Sequence, residues 1–121
     1  MELKIYKNIN ECGKVWSSLS PNQKLFDIWG FRQCFYNKGD NQPYFIVGHE
    51  EGRIVGAVPL CFSKSMNQYN YFGGWFPERN LFFLKDENKI AELLDKCPDN
   101  TAIEGIDSNE RKYFSFLEDE Y

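Results

Sequence analysis

Histidine occurs once in this chain, at position 49, and the four cysteines, Cys12, Cys34, Cys61 and Cys97, form no C-x-x-C pair. A zinc site would need acidic ligands that nothing in this spacing supplies, so no metal is expected. Basic runs are equally scarce. No stretch of Lys or Arg exceeds two residues, and 14 basic side chains face 18 acidic ones, for a net charge of −4. That balance argues against nucleic acid as a partner. No apolar run approaches the ~20 residues of a membrane span, and no signal peptide precedes the first expected strand. Each cysteine falls within or beside an apolar pattern, so four reduced, buried thiols in a cytoplasmic protein are expected. There is no internal repeat, no low-complexity segment and no Pro/Gly/Ser-rich linker. The 121 residues therefore read as one domain, 1–121.

What the chain has in excess is aromatic rings: eleven Phe, seven Tyr and three Trp, or 17% of the sequence. A core built from them is bulky and leaves some rings for contact surfaces. The strongest local pattern is Pro43 to Lys64. Tyr44, Phe45, Ile46 and Val47, then Ile54, Val55, Val58, Leu60 and Phe62, are strand formers on either side of Glu50-Glu51-Gly52-Arg53, where Gly52 can take the positive φ of a tight hairpin turn. Both runs are nearly continuous in apolar residues, which predicts strands covered on both faces.

Ahead of the hairpin, Glu2 to Lys7 alternates, with Leu3 and Ile5 on one side and Lys4 and Tyr6 on the other. Asn8 or Asn10 can cap a helix carrying Cys12, Val15, Trp16 and Leu19 at helical spacing, stopped at Ser20-Pro21-Asn22. A second helix is expected from Asp27 as N-cap through Trp29, Phe31, Phe35 and Tyr36 to Gly39, with Gly30 a weak point inside it. Beyond the hairpin, Asn67 to Phe72 predicts a strand with Tyr69 and Tyr71 on one face, and Asn80 to Leu84 a short extended run. Asp86 caps a helix with Ile90, Leu93, Leu94 and Cys97, closed by Pro98. Thr101 to Ile106 predicts a strand, and Ser108 caps a last helix with Tyr113, Phe114 and Leu117. The order is βααβββαβα.

Gly73-Gly74-Trp75-Phe76-Pro77-Glu78-Arg79-Asn80 is the best candidate for a binding segment. Gly73 and Gly74 permit close backbone approach, Trp75 and Phe76 offer flat contact area, and Glu78 and Arg79 offer charge. The plainer alternative is a strand connection whose rings cap the core. Pro59 lacks a donor for the sheet ladder and is expected on an edge or at a bulge, where a strand can splay. His49 beside Glu50 has the makings of a general base, but at a hairpin tip among polar residues it is expected to be a solvated turn histidine. Cys61, inside Val58-Pro59-Leu60-Cys61-Phe62, is expected to pack rather than react. Neither a catalytic nor a cofactor-binding residue is assigned.

Three local patterns carry a family resemblance: Phe26-Asp27-Ile28-Trp29 opening the second helix, the hairpin's Ile54-Val55-Gly56-Ala57-Val58-Pro59-Leu60, and the Tyr71-Phe72-Gly73-Gly74 exit from the next strand. With the element order, they resemble the GNAT (Gcn5-related N-acetyltransferase) fold. The likeness is to the N-terminal GNAT-like domain of the tandem FemAB-like aminoacyltransferases and BioF2/CelD-like acetyltransferases. That resemblance implies an α/β fold, a mixed and mainly antiparallel sheet with helices on both faces, here lacking the last strands. A CoA-binding member presents a glycine-rich R/Q-x-x-G-x-G/A loop at a helix N-terminus, where backbone N–H groups hold pyrophosphate. Leu84-Lys85-Asp86-Glu87-Asn88 has no glycine and sets two carboxylates there, so it is expected to repel CoA.

The implied function is that of a non-CoA-binding GNAT-like domain of an acyl- or aminoacyltransferase, which helps bind the acceptor substrate or dimerise. The isolated chain is expected to be inactive, with any acetyl-CoA or aminoacyl donor belonging to a second GNAT-like domain of a longer protein. The alternative is a stand-alone protein-interaction module. In either case an unfinished sheet exposes an edge, and self-association is expected along it or through the aromatic loop.

Overall fold

The structure, a computed structural model, describes residues 1–20, 28–36, 38–72, 83–84 and 90–102. It is a mixed α/β fold built on a curled sheet. Strand β1 (Glu2–Tyr6) leads into helix α1 (Ile9–Leu19), a short helix α2 (Trp29–Arg32) and a 3₁₀ turn (Gln33–Phe35). Strands β2 (Asn41–Glu50), β3 (Arg53–Ser63), β4 (Gln68–Tyr71) and β5 (Phe83–Leu84) follow, then helix α3 (Ile90–Asp95) and strand β6 (Thr101–Ala102). The strands run β1-β2-β3-β4-β6 across the sheet, with β5 added against β3. Every pairing is antiparallel except β4 with β6.

The hairpin forms as its sequence predicts. Glu50 pairs with Arg53, and the two residues between them both lie in the left-handed region, Glu51 at φ 51° and Gly52 at φ 76°. Two positive φ angles in a two-residue loop give the backbone twist that matches two right-handed twisted strands. Gly52 adopts its angle freely, whereas Glu51 bears about 1–2 kcal/mol for its Cβ. Register shifts between Gly48 and His49: Gly48 faces Gly56 and His49 faces Ile54, so Val55 is left over as a bulge.

Apolar residues sort onto two clusters by alternation along the strands. Phe45, Val47, Ala57 and Cys61 pack with Cys12, Val15 and Trp16 of α1 and with Tyr71 and Phe72. Ile46, Val58 and Leu60 pack with Leu93 and Leu94 of α3. Continuous hydrophobicity in β2 and β3 thus reflects apolar burial at both parities. Helix α1 starts where Asn8 Oδ1 accepts from the N–H groups of Asn10 and Glu11, at 2.9 and 3.1 Å.

Three expectations need correction. The second helix is a single turn followed by a 3₁₀ turn, and Ile28 occupies its N-cap without a side-chain cap; Asp27 lies outside the described residues. Its aromatic residues are indifferent helix formers, and ring packing decides their conformation. Tyr69 and Tyr71 do not share a cluster: Tyr69 packs with the α3 group, Tyr71 with the α1 group. Ring partners separate them: Tyr69 meets Tyr44 and Phe62, each with centroids 4.8 Å away, whereas Tyr71 meets Trp16 edge-on at 6.2 Å. Pro59 is not on an edge but buried in the central strand. Its carbonyl accepts from Phe72 N–H at 2.9 Å. In an extended strand, N and C=O of one residue point to the same edge, so the missing donor faces Phe72, next to the Leu60–Tyr71 pair. The Phe72 carbonyl, which a backbone N–H at position 59 would have met, accepts from Arg32 Nη1 at 3.4 Å instead.

The expected final helix from Ser108 and the strand beyond Ala102 lie outside the described residues. Within them, β5 forms from the short extended run, and no helix is long and apolar enough to cross a membrane.

The open end of the hairpin is clasped by Asp40. Its carboxylate accepts from Ser63 Oγ at 2.8 Å, Ser65 N–H at 2.7 Å and Ser65 Oγ at 3.1 Å, while its carbonyl accepts from Lys64 N–H at 2.9 Å. Donation from Ser63, then from Ser65, holds the Asp40 carboxyl below the usual carboxylate range. The folded state therefore gains from ionised Asp40 above the unfolded-state value, about 3.9, and loses that gain as pH falls through the lower folded value. Asp40→Asn is expected to lower Tm by a few degrees at neutral pH. The gap between wild type and variant closes below about pH 4, as thermal scans across pH 2–7 would register.

Candidate functional site

The candidate site is the place where the chain leaves β4. Phe72 is fully buried there, stacked against Trp29 with ring centroids 4.9 Å apart and against Tyr36 at 5.7 Å. Trp29 in turn meets Phe45 edge-on at 6.2 Å and Trp16 at 5.7 Å. Trp29 reaches this position because α1 has no side chain at Gly13. A Cβ there would lie 2.6 Å from the indole Nε1 and 2.9 Å from Cε2.

At the centre lies Arg32, only 1% exposed. Its guanidinium sits 5.2 Å from the Trp16 ring centroid and 5.1 Å from that of Tyr71, and Nη1 donates to the Phe72 carbonyl at 3.4 Å. A desolvated cation over an aromatic face is worth about 2 kcal/mol or more, and the flat guanidinium suits two rings where an ammonium would not. Arg32 thus ties the aromatic cluster to the Phe72 carbonyl at the β4 exit. The six residues expected to bind substrate or partner, Gly73, Gly74, Trp75, Phe76, Glu78 and Arg79, begin one residue later and lie outside the described residues.

The thiols of this cluster are poor nucleophiles. Burial, with the charge of Glu11 adding to it, pushes the Cys12 thiol up to about 12 against an opposing hydrogen bond with the Phe45 backbone. Burial and then the charge of Asp40 push Cys61 up to about 12. Both are protonated at neutral pH and serve as packing residues. Cys97 is driven to about 11 by burial, whereas Cys34 is exposed, contrary to the expectation of four buried thiols. Burial also raises the Tyr36 phenol.

A second locus lies at the closed end of the hairpin. His49 is not a solvated turn residue: the turn is so short that His49 stays in β2, half-buried, facing Glu2 and Ile54. Its Nε2 is 3.0 Å from Tyr6 Oη. His49 borders an open concavity of about 850 Å³ lined also by Met1, Glu2, Lys4, Glu50, Glu51, Gly52, Arg53, Ile54 and Val55. Three carboxylates and two fixed cations share its walls, so neither sign of ligand is favoured. Among the described residues, no three His, Cys, Asp or Glu side chains converge as metal ligands.

Arg32, Tyr6 and Asp40 were not distinguished by sequence pattern. For Arg32 the available signal is a single cation embedded in the aromatic series Trp29, Phe31, Phe35 and Tyr36. No family model matches the chain, and neither a curated protein nor a solved structure does.

Proposed function

We propose that this chain is a GNAT-like domain of the FemAB-like and BioF2/CelD-like acyltransferase group, one that does not hold CoA and contributes to acceptor-substrate binding or to dimerisation. In this reading the helices cover both faces of the sheet in the GNAT manner, and donor chemistry belongs to a second domain. The observation that carries it is the anchored exit of β4. Arg32, Trp29 and Tyr36 all contact Phe72, the residue that immediately precedes Gly73, Gly74, Trp75, Phe76, Glu78 and Arg79 in the sequence, and a packed anchor at that point supports a role for those rings and charges in meeting an acceptor. The core thiols, held protonated by burial, accord with a domain that does not itself act as nucleophile.

Titration calorimetry with acetyl-CoA tests the cofactor half of this reading. No binding heat is expected from the isolated chain, because Asp86 and Glu87 oppose a pyrophosphate. A Kd in the low micromolar range would overturn it. A second reading, a protein-interaction module without catalysis, draws on Ile5, a large apolar side chain 40% exposed on the outermost strand β1.

A further inference from the structure

Strand β1 is the outermost strand of the sheet formed by the described residues. Its inner edge pairs with β2 from Glu2 opposite His49 to Tyr6 opposite Phe45, and no strand among the described residues pairs with its outer edge. Alternate outward N–H and C=O groups there form a template for another strand. We propose that this edge pairs antiparallel with the same edge of a second copy of the chain, in a register that sets Leu3 opposite the partner's Leu3. The idea rests on the self-association clause of the reading above and assigns it a surface and a geometry.

Charge selects the register. Two-fold antiparallel pairing keeps the faces of both sheets continuous only when residues of like parity meet, because a one-residue slip turns every side chain to the other face. Centring on Leu3 places Glu2 opposite the partner's Lys4, and Lys4 opposite the partner's Glu2. It also sets the exposed Ile5 against the partner's Met1, on the face where Met1 and Leu3 already pack with the α3 cluster. Glu2 and Lys4 lie together on the opposite face, their charged ends 3.9 Å apart and well exposed. Centring on Lys4 instead opposes two ammonium groups directly, which is unfavourable. Centring on Ile5 loses both charge pairs. An exposed lysine on an edge strand ordinarily discourages pairing. Here it forbids the neighbouring register and rewards this one.

Five residue pairs along one edge bury less than the ~1,200–2,000 Å² of a stable complex, so a weak dimer with Kd on the order of 10–100 µM is expected. Sedimentation velocity from about 10 to 500 µM would be run on wild type, Glu2→Lys, Lys4→Glu and the double exchange, with circular dichroism confirming the fold of each. Either single change puts like charges opposite one another twice and is expected to weaken the dimer about tenfold or more. The double exchange restores both pairs and the wild-type Kd. A wild-type monomer throughout the range, a dimer indifferent to the single changes, or a double exchange that fails to recover would each overturn the proposal. These outcomes are separate from the calorimetry: a monomer that ignores acetyl-CoA sinks the pairing alone, and a charge-sensitive dimer that binds acetyl-CoA sinks only the cofactor reading.

Discussion

Arg32→Ala is expected to lower stability by about 3–5 kcal/mol, as large truncations in a packed core do. The substitution leaves a void between Trp16 and Tyr71, removes two cation–aromatic contacts and takes away the donor to the Phe72 carbonyl. Set against the 5–15 kcal/mol that holds an ordinary domain together, the loss is a large fraction of the whole. Urea unfolding followed by tryptophan fluorescence would measure it, since Trp16 and Trp29 are both within the cluster. Arg32→Lys keeps charge and most of the length but not the plane, and is expected to fall between wild type and alanine. A lysine variant as stable as wild type would mean that charge, and not the stacked guanidinium, is what the site uses.

Gly13→Val is expected to be nearly as damaging, at roughly 3 kcal/mol. The indole in its way cannot step aside easily, because Trp29 is held by Trp16, Phe45 and Phe72. Alanine would clash less and recovers about 1 kcal/mol of helix propensity, so its net cost is expected to be smaller. Chemical denaturation of the two variants separates the terms: a stabilised Gly13→Ala would mean that α1 and Trp29 can move apart. Because the displaced ring stacks on Phe72, the valine variant should also loosen the β4 exit.

The two variants bear on the part of the fold least visible in the sequence. The hairpin was legible because its information is local: β-branched and aromatic runs, a glycine at a turn, an asparagine before a helix. Helix α1 was legible for the same reason, through the spacing of Cys12, Val15, Trp16 and Leu19. The second helix was not, since Trp29 and Phe31 carry little helical preference and their conformation follows from a gap at Gly13 on another element. Arg32 is not legible in the sequence because its partners are 16 and 39 residues away, and charge in a sequence reads first as surface. His49 was misplaced by one physical detail, a turn of only two residues that keeps it within the strand beside Tyr6.

The Asp40 clasp has a consequence for fidelity. β2 and β3 carry apolar side chains at both parities, so a hairpin slipped by one residue would still look hydrophobic on each side. Such a slip would send Phe45 and Val47 toward α3 and Ile46 toward α1, exchanging the two cores. Periodicity alone offers little resistance to that error. The resistance comes from the two ends: a turn that closes only when Glu50 meets Arg53, and a carboxylate that finds Ser63 and Ser65 only when Asn41 meets Ser63. Asp40 and the Glu51-Gly52 turn thus act as a proofreading pair, which tells a correctly zipped hairpin from an equally greasy wrong one.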